Sequence, residues 1–497
     1  MQKVHFVFFS LVAALLYTIF FYEQRIGLNL FIFDLILIPV MLFLNKPVKF
    51  NFFTWLLLVC TVLSAFSVMM VNTIWGIIIN YMLLFTLATA LNNKGSRSFF
   101  HVGLETIPRS FIVQARLFQK WRDDSTTSSY ISIRKILYIV ILPILVLVFF
   151  FTLYINSSSV FYDAVAPIFT FISKLNFALI LFFCLGIIIS NILIVKTIPM
   201  QLHKLDISSS DNLLRIRKAN DYHFRKDGLL MQNKAGIVVL IMLNLLILFF
   251  NYLDITTIWL NFTWKGDMLK EFVHQGTWIL VISVIASAVI ALYFFHRNIN
   301  FYSKNKTLKV LTIGWILQNL VMTVSVIIRN CLYINYFGLA SKRIAVMFFL
   351  LLVVIGLVSI IFKILKIKST YFILRTNGLS LMLVLFVSSL FNWDVIIAQY
   401  NFKHYKRSFI EYKYMAHLND AALPYIMKSL NELEEIDSMQ EKVLPFDTKS
   451  EHFWDRTRYY EQVELRKSDF LKSYAERSVL EWNYADYKAY KKLEEKY

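Results

Sequence analysis

Asp34, Gln318 and Asn319 each sit inside a run of apolar residues, where a polar side chain costs several kcal/mol unless it is used or paired. The chemistry such groups support is passage of an ion or a small solute between helices. Asn80, Asn191 and Asn244 are placed similarly. Amides often do no more than bond neighbouring helices, so the charge of Asp34 is the harder one to account for. A second set of polar residues gathers at apolar boundaries: His274 after Glu271; Arg329, Asn330 and Tyr333, with Arg343 beyond the Gly338 turn; and Asn392, Asp394 and Asn401. Two cations at the edges of apolar runs need anions, and Asp394, Glu271, Asp267 or Asp254 can supply them. A phosphate-binding loop, a dinucleotide fingerprint, a His-Glu-x-x-His helix, a nucleophile elbow and a kinase signature are all missing from the sequence. A membrane-embedded sugar transferase would want acidic residues in a long first outer loop. Residues 22–26 offer Glu23 alone.

The elements that must position these residues are helices. Of the 497 residues, 58% are hydrophobic, too many for a soluble core to hide. Windows of roughly 20 apolar residues predict eleven spans: 4–21, 27–44, 52–70, 72–91, 136–155, 174–195, 236–253, 276–295, 308–328, 344–364 and 371–390. The first has no small-x-small cleavage site before Glu23 and reads as a retained anchor. The expected fold is therefore all-α, a polytopic transmembrane helix bundle over residues 1–390 with a helical extramembrane tail over 391–497.

Basic residues occupy alternate loops: Lys46 and Lys49; Lys94 to Lys135; the loop 196–234; Arg297 to Lys309; and Lys363 to Lys368. Short basic loops stay in the cytoplasm. The N-terminus is then cytoplasmic and the tail extracytoplasmic. The formal net charge of +19 raises the question of nucleic acid, but residues 391–497 carry 17 Lys and Arg against 19 Asp and Glu, leaving 34 against 13 for residues 1–390. All of the excess lies in the membrane part, where it marks topology and attracts anionic lipid headgroups; no nucleic-acid partner is expected. Residues 97–121 alternate apolar and basic side chains, as in an interfacial amphipathic helix or a surface helix packed on the bundle without lipid contact. Either way it positions other elements and is no active site.

In the tail, apolar residues recur at three- and four-residue steps over 412–436 and 451–496, predicting helical hairpins that pack on one another or on the membrane domain and offer a surface to a protein partner. Cys60, Cys184 and Cys331 all lie in or at the ends of spans, so neither a disulfide framework nor a metal-ligand spacing is present, and no cofactor is expected.

His274 to Thr277, Trp315 to Asn319, Arg329-Asn330 with Tyr333, Tyr336 to Leu339 with Arg343, Phe391 to Asp394 with Tyr400-Asn401, and Leu418 to Pro424 resemble the bacterial membrane family catalogued as domain of unknown function 4173. The likeness covers residues 240–428 well. It implies a polytopic protein of the bacterial inner membrane and supplies no chemistry. On the sequence alone, the first reading is a non-enzymatic scaffold, signalling or envelope-related component. A transporter or channel using Asp34, Gln318 and Asn319 is the alternative, and a membrane-embedded transferase the third.

Overall fold

The computed structural model describes residues 2–45, 50–124, 176–197, 201–215, 222–261, 268–295, 297–443 and 454–495, with isolated positions between 143 and 154. Helices α1 (Gln2–Phe21), α2 (Leu28–Leu44), α3 (Phe52–Val71) and α4 (Ile74–Asn92) are followed by the amphipathic α5 (Phe99–Asp124). Next come α6 (Phe177–Ile194), the short α7 (Gln201–Ser208) and α8 (Tyr222–Asp254), which widens into a π-helical turn at Ile255–Leu260. Then follow α9 (Met268–Phe294), α10 (Lys306–Phe337), α11 (Ser341–Lys366) and α12 (Thr370–Ser388). The tail comprises α13 (Trp393–Lys403), single turns at Tyr412–Met415 and Leu423–Ile426, α14 (Leu430–Val443), α15 (Arg456–Ala475) and α16 (Tyr484–Glu494). The fold is all-α. Ten of the eleven predicted spans coincide with helices; the remaining one, 136–155, lies mostly outside the described residues.

Among the described residues seven helices are long and apolar enough to cross a membrane, and Phe8–Phe21, Leu28–Leu44 and Val281–Phe294 are shorter apolar helices. Their ends are set by local chemistry. Asn72 takes the left-handed conformation (φ 46°) and ends α3, and Thr73 Oγ1 then accepts the Gly76 N–H at 3.1 Å to start α4. Two residues thus suffice to reverse the chain. Asn51, Ser369 and Asn392 cap α3, α12 and α13 in the same way.

Two apolar cores fill the bundle. One joins α1 to α5 with the end of α6 and with Met382 and Phe386 of α12. The other joins α8 to α11 with Ile373 at the start of α12. Helix α12 therefore ties the halves together. A third core, around Ile397, Met415, Leu423, Leu433, Tyr459 and Phe470, belongs to the tail and takes in Ile344 of α11.

Over 412–436, where the periodicity predicts hairpin helices, the chain is broken twice. Asn419 begins a new turn that leads into Pro424, and Ser429 pairs with Glu432 in a capping box that starts α14.

Candidate functional site

The turns of the bundle gather in two groups, and the tail covers one of them. At the α10–α11 turn, Gly338 has φ 75°, and a Cβ there would lie 2.6 Å from Asn401 Oδ1. Asn401 is that close because it grips the turn with both ends of its amide: Oδ1 accepts the Leu339 N–H at 2.6 Å and Nδ2 donates to the Leu339 carbonyl at 2.9 Å. The Phe409 N–H donates to the Tyr336 carbonyl at 2.7 Å beside it. At the α1–α2 turn, the Leu28 N–H donates to the Trp482 carbonyl at 2.8 Å and Ser478 donates to Gln24. At the α3–α4 turn, Asn392 Nδ2 donates to the Val71 carbonyl at 3.2 Å.

Beneath this cover lies the polar rim. Arg329 of α10 forms a buried ion pair with Asp254 at the end of α8, and Ser325 donates to the second carboxylate oxygen of Asp254. Trp259 Nε1 donates to Ser325 Oγ at 3.2 Å. Of the four anions the sequence offers, the structure brings Asp254 to Arg329. At the next residue, Asn330 Nδ2 donates to the Arg343 carbonyl at 3.0 Å, and the Arg343 guanidinium lies 4.4 Å from the ring centre of Tyr333, one turn further on. Arg343 also donates to the Phe337 carbonyl at 2.8 Å and to that of Gly338. It thereby satisfies carbonyls at the C-terminus of α10, where a helix concentrates partial negative charge.

The sequence offered Asp394 as an anion for Arg343; the structure seats it elsewhere. Its Oδ2 accepts the Asn419 N–H at 3.0 Å, and Asn419 also donates to Asn392 Oδ1 at 3.0 Å. Burial raises the Asp394 pKa, against the opposing pull of that hydrogen bond and of Arg466. Arg329, Asn330, Tyr333 and Arg343 thus form one group, Asn401 grips its turn, and Asn392 with Asp394 organises the tail. His274 lies on α9, and its side chain is outside the described residues.

The intramembrane candidates do not converge. Gln318 Nε2 donates to Asn244 Oδ1 at 2.7 Å, and Asn244 donates to the Leu240 and Leu311 carbonyls at 2.6 and 3.1 Å. Asn319 donates to the Trp315 carbonyl of its own helix at 2.7 Å. Gln318 and Asn244 thus join α8 to α10 in the second core, and Asn319 bonds within α10. Asp34 lies in the first, bonded to Asn80 of α4 at 2.9 Å.

The other group of turns holds a polar cluster that sequence reasoning missed. Asp206 of α7, fully buried, accepts the Arg97 backbone N–H at 2.7 Å through Oδ2 and the Tyr371 hydroxyl at 2.7 Å through Oδ1. The Arg97 side chain donates to the Asp206 and Ser209 carbonyls at 2.8 and 2.6 Å. An antiparallel bridge between Asn212 and Lys368, with an Asp211–Arg375 ion pair at 2.7 Å, fixes the same loop to α12. Asp206, set between Leu205 and Ile207 in the basic loop, was the available signal. On α5 the usual amphipathic order is inverted: Glu105 and Arg109 are buried while Phe100, Leu104, Ile107 and Phe111 are exposed. Arg109 donates to the Ile192 and Val195 carbonyls at 2.8 and 2.9 Å, closing the C-terminus of α6. Burial lowers its pKa to about 10, with Glu105 opposing, so it stays charged at neutral pH.

These features define a class: an all-α bundle with apolar helices long enough to cross a membrane, capped at one end by a helical tail. The chain belongs to the family of the domain of unknown function DUF4153, which matches residues 3–429. That family takes the place of the 4173 number suggested by the resemblance in the sequence, and it too has no assigned function. Its match stops before Leu430, so α14 to α16 lie beyond it. No curated protein and no solved structure matches the chain.

Proposed function

We propose that this is a multi-pass protein of the bacterial inner membrane, with a cytoplasmic N-terminus, that serves as a non-enzymatic scaffold. Its extracytoplasmic tail is a clamp that holds three turns of the bundle and presents a surface to a protein partner. The observation that carries this reading is the seating of the tail on both halves at once, through Leu339 with Asn401 and through Leu28 with Trp482. A clamp across separate helical hairpins fixes their relative positions, which is what a platform for assembly requires. The inverted α5 supports the membrane setting, because a helix that buries Glu105 and Arg109 and exposes Ile107 and Phe111 suits a lipid boundary. The basic loops support the sidedness, since they coincide with the turns the tail does not cover. Their exposed cations, Lys94, Lys204, Lys304 and Lys366 among them, suit anionic headgroups.

On the tail, Leu465 and Val479 are exposed apolar residues suited to a protein contact. The test is affinity capture of the intact protein in mild detergent. A stoichiometric partner that is retained by the parent and lost in Leu465→Glu and Val479→Glu supports the scaffold. A C-terminal alkaline phosphatase fusion should be active and a fluorescent protein fusion dark. Solute or ion flux through liposomes holding the pure protein would favour transport instead.

A further inference from the structure

The core between α2, α3 and α4 contains an acid that takes no part in the rim or in the anchors of the tail. Asp34 is 1% exposed, and Asn80 and Ser64 beside it are equally buried. Asn80 Nδ2 uses both of its hydrogens, one toward Asp34 Oδ2 at 2.9 Å and one toward Ser64 Oγ at 3.1 Å. Ser64 donates in turn to the Thr61 carbonyl at 2.8 Å. Two acceptors are left over. Asp34 Oδ1 and Asn80 Oδ1 are both buried without a hydrogen-bond partner.

The titratable side chains described on the elements packed against α2 are Tyr17 on α1, Cys60 on α3, Tyr81 on α4, Cys184 on α6 and Glu481 on the tail turn, and the α1–α2 turn adds Tyr22, Glu23 and Arg25. Arg25, the one cation among these, is exposed on the turn before α2 begins. An ionised Asp34 would therefore stand in an apolar bundle with a single amide donor, an arrangement that buried charges avoid. In a neutral acid–amide pair, the amide N–H donates to one acid oxygen and the acid O–H donates to the amide oxygen. The first of these bonds is in place here. The second needs one hydrogen on Asp34 Oδ1, and that hydrogen satisfies both orphaned atoms.

We infer that Asp34 and Asn80 form a proton-binding site within the membrane-spanning bundle, with the proton resident on Asp34 Oδ1 and directed to Asn80 Oδ1. The chain from Asn80 through Ser64 to the Thr61 carbonyl holds the amide in register for it. Release of the proton leaves a bare carboxylate between α2 and α4, so release is coupled to movement of one helix against the other. Pro39, five residues along α2, has no N–H for the Leu35 carbonyl and marks where that helix can bend. The site depends on burial within α2 to α4 and on neither the tail nor the sidedness proposed above.

Infrared difference spectra of the full-length protein in lipid nanodiscs, parent minus Asp34→Asn, test this at neutral pH. A carboxylic acid carbonyl band is expected, and Asn80→Leu should move it to higher frequency because the acid carbonyl loses its donor. Carboxylate bands in place of the acid band overturn the assignment. So does an acid band that disappears when potassium is replaced by sodium, since the occupant is then a metal cation. Should Asp34→Asn fail to fold, a hydrophobic carbodiimide, which modifies protonated buried acids, is applied to the parent and mapped by mass spectrometry. Modification of Asp34 at neutral pH supports the site, and modification confined to acid pH overturns it.

Discussion

The carboxylate of Asp254 at the end of α8 meets the guanidinium of Arg329, two turns before α10 ends, with each side chain only 6% exposed. Removing one partner leaves the other charge buried and uncompensated, which costs about 3–5 kcal/mol, whereas replacing both with apolar residues is often close to neutral. Asp254→Leu and Arg329→Met should each lower the thermal midpoint of the detergent-solubilised protein sharply. The double variant should recover most of the loss, and additive losses would show that the two side chains act separately.

Gly338→Ala introduces a Cβ 2.6 Å from Asn401 Oδ1 at a backbone angle that only glycine adopts easily. Asn401→Ala leaves the half-buried backbone N–H and C=O of Leu339 without that partner, at a cost below the roughly 1–3 kcal/mol of a fully buried group. Both variants should speed proteolysis of the tail in membrane vesicles. If the cleavage rate stays at the parent's value, the grip is not what holds the tail.

Gly27→Ala is expected to detach the tail at its other anchor, because the added carbon would sit 2.6 Å from the carbonyl oxygens of Glu481 and Trp482. Hydrogen exchange should rise in peptides covering 478–495 and remain unchanged around Asn401. Unchanged exchange at 478–495 would count against the seat.

A tryptophan at position 111 tests the lipid boundary, since Phe111 is 74% exposed on the inverted face of α5. Phe111→Trp fluorescence should be quenched by lipids brominated along the acyl chain. Quenching only by aqueous iodide would place this face in water.

Two carboxylates of the tail should respond to pH in opposite senses. The Glu432 pKa is lowered, chiefly by the Ser429 backbone N–H, so its contribution to stability is present above its unfolded pKa and is lost as pH falls through the folded value. The Asp394 pKa is raised by burial, so its penalty is absent in acid and grows as pH rises from the unfolded to the folded value. Glu432→Gln should therefore increase exchange in α14 at neutral pH and have no effect in acid. Asp394→Asn, which keeps an acceptor for Asn419, should slow exchange around residues 419–426 at neutral pH only.

Helix positions were legible because a run of about 20 apolar residues has few alternatives to a helix. Their ends were less so. Helix α10 continues to Phe337, well past residue 328, since Asn330 and Tyr333 lie under the tail, where polar residues find partners within the protein. Which of four acids meets Arg329 depends on the relative depth of α8 and α10, which no local pattern encodes. Asp394 and Arg343 looked complementary in charge, yet a helix C-terminus and a backbone N–H proved the nearer partners. The apolar stripe of α5 was readable, but the same stripe describes a helix facing inward or outward, and only the burial of Glu105 and Arg109 separates the two.

Ser478 bonds Gln24 across 454 positions of chain. During synthesis the hairpin of α1 and α2 is made long before its counterpart leaves the ribosome, and long-range closures of this kind come late in assembly. A chain interrupted anywhere between them leaves the Leu28 amide without its tail partner, so the first hairpin is finished only when the last helices are in place.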